Sequence, residues 1–235
     1  MENEYDELLW LLKHCPIPEK ELMYNLGLFI PRRKLAHILY IHEIYEHILE
    51  VPGCIMEFGT WWGQNMSLFK QLIGIYEPLN QYRKVIGFDT FEGFPAVSSE
   101  DCHNVAVGGY GVTKDYESYL RKVISAHTKQ GVVDENCEVR KGDAPEKLET
   151  YLCDHRETII ALAYFDMDLY GPTKKCLESV RPFLVKGSVV AFDEVDHASW
   201  PGETIALREV FGLGNVKLHR SKLSFSSPKA YMVME

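Results

Sequence analysis

The chain has 235 residues, 46% of them apolar, and a formal net charge of −9. That length suffices for one large α/β domain with a full core. The acidic balance argues against a general nucleic-acid or anionic-membrane binder, and leaves room for a small anionic ligand held by local donors.

No apolar run approaches the roughly 20 residues of a membrane span. The opening Met1-Glu2-Asn3-Glu4-Tyr5-Asp6 lacks the basic-then-apolar order of a signal peptide. The six cysteines (Cys15, Cys54, Cys102, Cys137, Cys153, Cys176) contain no C-x-x-C pair, and most sit in or beside apolar runs. Buried free thiols are expected, and with them a cytoplasmic protein.

The first fifty residues read as helical. Asp6 to His14 is amphipathic, and Pro16 and Pro18 break it. Arg32 to Leu49 carries Leu35, Ile38, Leu39, Ile41, Ile44, Tyr45 and Ile48 at helical spacing, and Pro52-Gly53 ends it. Residues 1–50 are therefore an expected N-terminal helical extension, serving as a lid or a dimer contact. Residues 51–235 form the main domain.

From there strands and helices alternate. Strands are expected over Cys54–Phe58, Lys84–Phe88, Cys137–Lys141, Ile159–Phe165 and Ser188–Phe192. Helices are expected over Asn65–Ile75, Asp115–Thr128, Pro145–Asp154, Thr173–Phe183 and Pro201–Phe211. Two last strands, Val216–Arg220 and Lys229–Met234, flank the turn-rich Ser224–Pro228 and read as an antiparallel hairpin at the sheet's edge. The pattern is that of an α/β fold, a mostly parallel seven-stranded sheet with crossover helices. Asp89–Lys114 and Glu194–Gly202 are long and irregular, as lids and binding loops commonly are.

The first strand runs into Glu57-Phe58-Gly59-Thr60-Trp61-Trp62-Gly63. Gly59 and Gly63 permit a sharp turn and a close ligand approach. The helix behind Gly63 offers free N–H groups to negative charge. The spacing is not the G-x-G-x-x-G of a dinucleotide site. A cofactor with a carboxylate, and an ammonium to meet Glu57, fits better; S-adenosylmethionine has both. The alternative is a structural turn around a buried Trp pair. Asp89 ends the second strand, where a carboxylate can accept ribose hydroxyls. Asp143 ends the third, facing an adenine or capping the next helix.

Two further runs end abruptly in acid: Phe165-Asp166-Met167-Asp168 and Phe192-Asp193-Glu194. Acids are poor strand residues, and in open α/β sheets the carboxyl edge is where ligands bind. Four carboxylates there would repel one another unless a hard cation sat between them.

These residues resemble a known family. Glu57-Phe-Gly-Thr60, Gly87-Phe-Asp-Thr-Phe-Glu-Gly-Phe-Pro95, Phe165-Asp-Met-Asp-Leu-Tyr170 with Pro172-Thr173, and Asp193-Glu194 look like the macrocin-type (TylF/MycF/NovP-like) sugar O-methyltransferases, from about Val51 to Gly212. The resemblance implies a Rossmann-like class I methyltransferase fold, S-adenosylmethionine and Mg²⁺ as cofactors, and a sugar hydroxyl as acceptor. Carried over, Glu57, Gly59 and Thr60, with Gly63 behind them, meet the methionine end of the cofactor. Asp89 takes the ribose beside Phe91, and Asp143 and Ala144 face the adenine. Asp166, Asp193 and Glu194 ligate the metal. The family commonly has Asp where Glu194 stands. Asp168 matches the acid proposed as base, with an orienting role behind the groups that touch the substrate as the alternative. Tyr170, His197, Trp200 and Tyr110 are candidate substrate contacts.

The chemistry is coherent. A sugar hydroxyl is a poor nucleophile, a bound metal lowers its pKa, and positioning supplies much of the rate. The expected acceptor is a nucleotide sugar, a glycan or a glycosylated metabolite. No nucleic-acid or membrane partner is expected, and a homo-oligomer stays open. The rivals are a metal-dependent methyltransferase of catechol-like diols, a metal-dependent hydrolase and a non-catalytic cofactor-binding subunit.

Overall fold

The computed structural model describes residues 5–101, 106–128, 136–223 and 228–235. Its centre is a seven-stranded sheet in the order β3-β2-β1-β4-β5-β7-β6. The strands are β1 (Cys54–Phe58), β2 (Val85–Asp89), β3 (Cys137–Lys141), β4 (Ile160–Phe165), β5 (Leu184–Phe192), β6 (Leu218–Arg220) and β7 (Ala230–Val233). β1 to β5 are parallel, while β7 runs antiparallel to both β5 and β6. The expected C-terminal hairpin is therefore present, though its turn at 224–227 lies outside the described residues.

The helices are α1 (Asp6–Lys13), α2 (Glu19–Leu22), α3 (Arg32–Glu46), α4 (Gln64–Tyr76), α5 (Tyr116–Thr128), α6 (Ala144–Asp154), α7 (Tyr170–Val180) and α8 (Gly202–Phe211), with a 3-10 segment over Met23–Phe29. No described helix is long and apolar enough to cross a membrane. Every residue of β1 and β4 is buried, because helices cover both sheet faces and neither face can alternate with polar residues. One face packs against α6, α7 and α8 through Leu148, Leu177 and Leu207. The other packs against α3, α4 and α5 through Ile44, Phe69 and Leu120. In α3, Tyr40, Ile41, Ile44 and Tyr45 are buried as deeply as the strands.

The register of the central strands decides where the acids go. Phe58 is paired with Phe88 on one side and Phe165 on the other, and Phe165 with Phe192. The four rings stack in sequence, with centroids 5.1, 4.7 and 5.6 Å apart and tilts of 9°, 18° and 22°. One residue further on, Gly59, Asp89, Asp166 and Asp193 form the next row, at the carboxyl edge. The backbone pins that row: Gly59 donates to Phe88, Asp166 to Phe58 and Asp193 to Phe165 at 2.8–2.9 Å.

Several boundaries move from their sequence expectation, three of them for a visible reason. α7 begins at Tyr170, not Thr173, because Pro172 falls in its first turn, where a missing N–H costs nothing. The Tyr170 N–H is taken instead by Asp101 Oδ1 at 2.7 Å. β5 begins at Leu184, pairing with Ile160 before a register shift. α3 ends at Glu46, three residues short of Leu49. The five described cysteines are free; Cys54 and Cys176 are buried, Cys15 and Cys137 partly so, and Cys153 is exposed. Cys102 lies outside the described residues.

Removing one rung tests the ladder. Phe165→Ala should cost about 3–5 kcal/mol in denaturant unfolding, since it deletes a buried ring and leaves a cavity. A loss below about 1 kcal/mol would mean that the ladder does not hold the register.

Candidate active site

A cavity of about 550 Å³ opens along the carboxyl edge. β1 and β4 are adjacent there although two strands separate them in sequence, so the strand order reverses between them, and such points leave a crevice for ligands. The cavity is lined by Gly59, Thr60, Asp89, Asp143, Ala144, Asp166, Asp168, Asp193 and Glu194, together with Tyr110 and Trp200.

The turn after β1 is built as its sequence suggests. Gly59 has φ +89°, and a Cβ there would lie 1.9 Å from the Asp166 carbonyl oxygen; only glycine lets β1 and β4 close together here. Gly63 caps α4 with φ +78° and does not line the cavity. The two tryptophans are not a buried pair: Trp61 and Trp62 are 45% and 37% exposed. Trp61 takes φ +47° and donates its N–H to Asp89 Oδ2 at 2.6 Å. The Phe91 N–H donates to Asp89 Oδ1, also at 2.6 Å. Burial pushes the Asp89 carboxyl up, and these backbone donors partly offset that. Phe91 itself is buried beneath the loop.

Glu57 is 1% exposed and sits behind the cavity wall. Its Oε2 and the Thr60 hydroxyl are buried without partners. Burial drives the Glu57 carboxyl far above its usual range, as expected of an acid lacking a cation. Asp143 stands at the N-cap of α6 but makes no side-chain cap bond, so its carboxylate remains for the cavity.

The acid end is more strongly charged. Asp166 is pushed well up by burial, then by Asp193 and Asp168. Burial also acts on Asp193, but the Lys229 ammonium and the Tyr164 hydroxyl, 2.6 Å from Oδ1, hold it below its usual range. Lys229, buried just before β7, contacts the same Asp193 oxygen. Asp168 has φ +60°, in a tight turn closed by Leu169 N–H on the Met167 carbonyl at 2.6 Å. Glu203 of α8 is fully buried and accepts the N–H of Met167 at 3.3 Å and of Glu194 at 3.2 Å. One carboxylate thus ties together the loops after β4 and β5.

Among the described residues, no three His, Cys, Asp or Glu side chains stand ready-made around one cation position. The donors nonetheless suit a hard cation: they are carboxylates, they outnumber Lys229, and Glu194 Oε2 is buried without a partner.

Two expected contacts are not on the cavity wall. The Tyr170 hydroxyl donates to Glu209 Oε2 at 2.7 Å. His197 sits in the loop after β5 with Nδ1 buried and unpartnered. Tyr110, by contrast, lies edge-on to Trp200 and Trp61, with centroids 6.1 and 6.2 Å away. Burial raises its hydroxyl pKa, followed by Asp168 and Glu194. Sequence reasoning missed Glu203, Lys229, Tyr164 and the α3 residues Arg33, Lys34 and His37, which also line the cavity or brace it. Arg33, Lys34 and His37 share one helix face by their i, i+1, i+4 spacing, the one signal available beforehand.

These shifts have a consequence for stability. Asp168 is raised to about 7 by burial, then by Glu194 and Asp193. Glu194 is raised to about 7 by burial, then by Asp193. Unfolded carboxyls titrate near about 4, so between about 4 and 7 the folded chain holds protons the unfolded chain has lost, and stability falls as pH rises. The melting temperature of the metal-free protein should therefore drop between pH 6 and 7.5. A rise over that range would show these acids to be ionised already.

The same architecture recurs among known proteins. The solved calicheamicin methyltransferase CalS11 is 42% identical, with a TM-score of 0.93 over 97% of this chain and 90% of that one. A second CalS11 structure, described as a TDP-rhamnose 3′-O-methyltransferase without ligand, is 40% identical, with a TM-score of 0.85 over 97% and 92%. The O-methyltransferase NovP, 19% identical with a TM-score of 0.65 over 85% and 79%, shares the fold. No curated protein sequence matches the chain. The macrocin-O-methyltransferase (TylF) family model matches residues 29–210, so the likeness starts before Val51 and takes in α3. The chain belongs to the macrocin-O-methyltransferase (TylF) family and is an O-methyltransferase.

Proposed function

We propose that this enzyme transfers a methyl group from S-adenosylmethionine to a sugar hydroxyl, with Mg²⁺ at the acid end of the cavity. The sugar belongs to a nucleotide sugar, a glycan or a glycosylated metabolite. One observation carries the reading: Asp89 and Asp143 line the same cavity as Asp166, Asp168, Asp193 and Glu194. One row of strand ends thus serves a nucleoside and a hydroxyl acceptor side by side. The CalS11 likeness supports a sugar as that acceptor.

S-Adenosylmethionine supplies an electrophilic methyl group. Its ammonium would satisfy the unpartnered oxygen of Glu57, at the bottom of the Gly59–Thr60 turn. Asp89 keeps lone pairs for ribose hydroxyls beyond its two backbone donors. Asp143 and Ala144 border the adenine. Mg²⁺ would be held by Asp166, Asp193 and Glu194, and supplies a lower pKa and a fixed orientation for the acceptor hydroxyl. Asp168 takes the hydroxyl proton as the oxygen acquires the methyl group. Glu203 keeps Asp168 and Glu194 in place through the backbone of both loops. Tyr110 and Trp200 wall the acceptor and exclude water. The cavity's mixture of acids, bases and aromatics is unlike the narrow apolar slot that a catechol-like diol needs. Free thiols support placing the enzyme in the reducing cytoplasm. Tyr5 of the N-terminal segment and His37 of α3 line the cavity, which favours the lid role for that segment.

Calorimetry should register S-adenosylmethionine binding that Asp89→Ala weakens at least tenfold; unchanged affinity would sink the cofactor assignment. Turnover should stop with a chelator and return with Mg²⁺, and metal-independent turnover would refute that role. Asp168→Asn should bind the cofactor normally and lose about 10²-fold or more in kcat, the scale of general-base catalysis. Near-normal kcat would reduce Asp168 to an orienting residue.

A further inference from the structure

Asn65, at the start of α4, is buried and lines the cavity. Its side-chain amide meets two groups brought from distant parts of the chain. The oxygen, Oδ1, lies 2.6 Å from His37 Nε2 of α3. The amide also hydrogen-bonds the Glu57 carboxylate of β1, which accepts the Met66 N–H as well. An amide has one acceptor end and one donor end, and a carboxylate accepts. Turned the other way, the amide would set its oxygen against that carboxylate. The chain of bonds therefore has one direction: His37 Nε2–H donates to Asn65 Oδ1, and Asn65 Nδ2–H donates to Glu57.

Two features give that direction a use. Glu57 Oε2 is buried without a partner, so one carboxylate oxygen is held and the other is left for a ligand. The β1 backbone fixes where Glu57 starts, but the tilt of its carboxylate is set by a soft terminal torsion. Asn65 and the Met66 N–H restrain that tilt, and His37 in turn keeps the Asn65 amide from rotating. The second feature is charge. Burial, then the Lys229 ammonium, holds the His37 ring below its usual pKa; Asn65 and Asp193 pull the other way, and Lys34 adds to the lowering. The ring is thus a neutral donor, and it leaves Glu57 to a cation arriving from the cavity.

We propose that His37 is a positioning residue for the methyl donor: through Asn65 it aims the Glu57 carboxylate at the ammonium of the donor's amino-acid end. Helix α3 then completes a cofactor site that the sheet edge begins. The inference rests on the methyltransferase reading above and deepens it, since it gives the N-terminal segment a part in holding the cofactor. Its effect is confined to one end of that cofactor. Asp89, at the nucleoside end, is oriented separately by the N–H groups of Trp61 and Phe91. Cutting the chain of bonds at His37 therefore costs the amino-acid end and spares the nucleoside end.

Calorimetry on the full-length protein tests it with two probes: S-adenosylhomocysteine, and 5′-methylthioadenosine, which has the same nucleoside and no amino-acid end. His37→Leu should weaken S-adenosylhomocysteine about tenfold, the scale of one hydrogen bond acting on a charged group. It should leave 5′-methylthioadenosine as in wild type, which also shows that the variant folds. His37→Gln, which keeps an N–H at similar reach, should recover most of the loss. Asn65→Leu should cost at least as much as His37→Leu, and the two together no more than Asn65→Leu alone, because the chain of bonds is already cut. The proposal fails if His37→Leu binds S-adenosylhomocysteine as wild type does, if both probes weaken together, or if His37→Gln is as weak as His37→Leu. Failure of both probes to bind the wild type would instead condemn the methyltransferase reading.

Discussion

The in-register stack of Phe88, Phe58, Phe165 and Phe192 is the constraint on which the site depends. Side chains alternate along a strand, so a slip of one residue would turn an entire set to the other face. Here a one-residue slip of β2, β4 or β5 in one direction would draw its edge acid into the ring layer beside α6 and α7, and in the other would push its phenylalanine toward the cavity. The ring stack makes that slip costly, and the parallel ladder then delivers Gly59, Asp89, Asp166 and Asp193 to one edge. Packing on one face of the sheet thus fixes the chemistry at its end.

Concentrating acids at that edge works against stability. Asp166, Glu57 and Glu203 are all buried and all pushed well above the usual carboxylate range, first by burial. Glu203 is offset by two backbone N–H donors, and Asp193 by Lys229 and Tyr164. Glu57 and Glu194 each keep a buried oxygen without a partner. Unsatisfied buried acids are costly, and they persist where a ligand completes them. The uncompensated positions are the ones that an ammonium and a hard cation would fill. The compensated ones hold loops.

This division also explains what could be read from the sequence. The strand–helix alternation, the acids at strand ends and the Gly59 turn are local patterns, and each lies within a few residues of the strand that carries it. Parallel pairing of β4 and β5 then followed from topology, and with it the meeting of Asp166 with Asp193. Lys229 was not legible in this way. It immediately precedes β7, which returns antiparallel beside β5, and no local pattern says that its ammonium will reach Asp193. Glu203 looked like an ordinary acid in a helix's first turn, favourable to the dipole; its burial depends on α8 packing over the loop after β4. Tyr170 shows the converse. It lies in the motif, yet the earlier start of α7 carries its ring toward Glu209.

The sheet edge and α3 answer different demands. The edge must hold its groups to within fractions of an ångström, and parallel strands locked by stacked rings can do so. Beside that edge, α3 brings Arg33, Lys34 and His37 to the same cavity. The His37–Asn65 bond couples the two, since it joins the basic face of α3 to α4, whose cap is the Gly63 end of the cofactor turn. A shift of α3 would therefore be felt at the Gly63 end of the turn after β1. Any coupling between ligands bound on either side of that contact would be reciprocal by thermodynamic necessity.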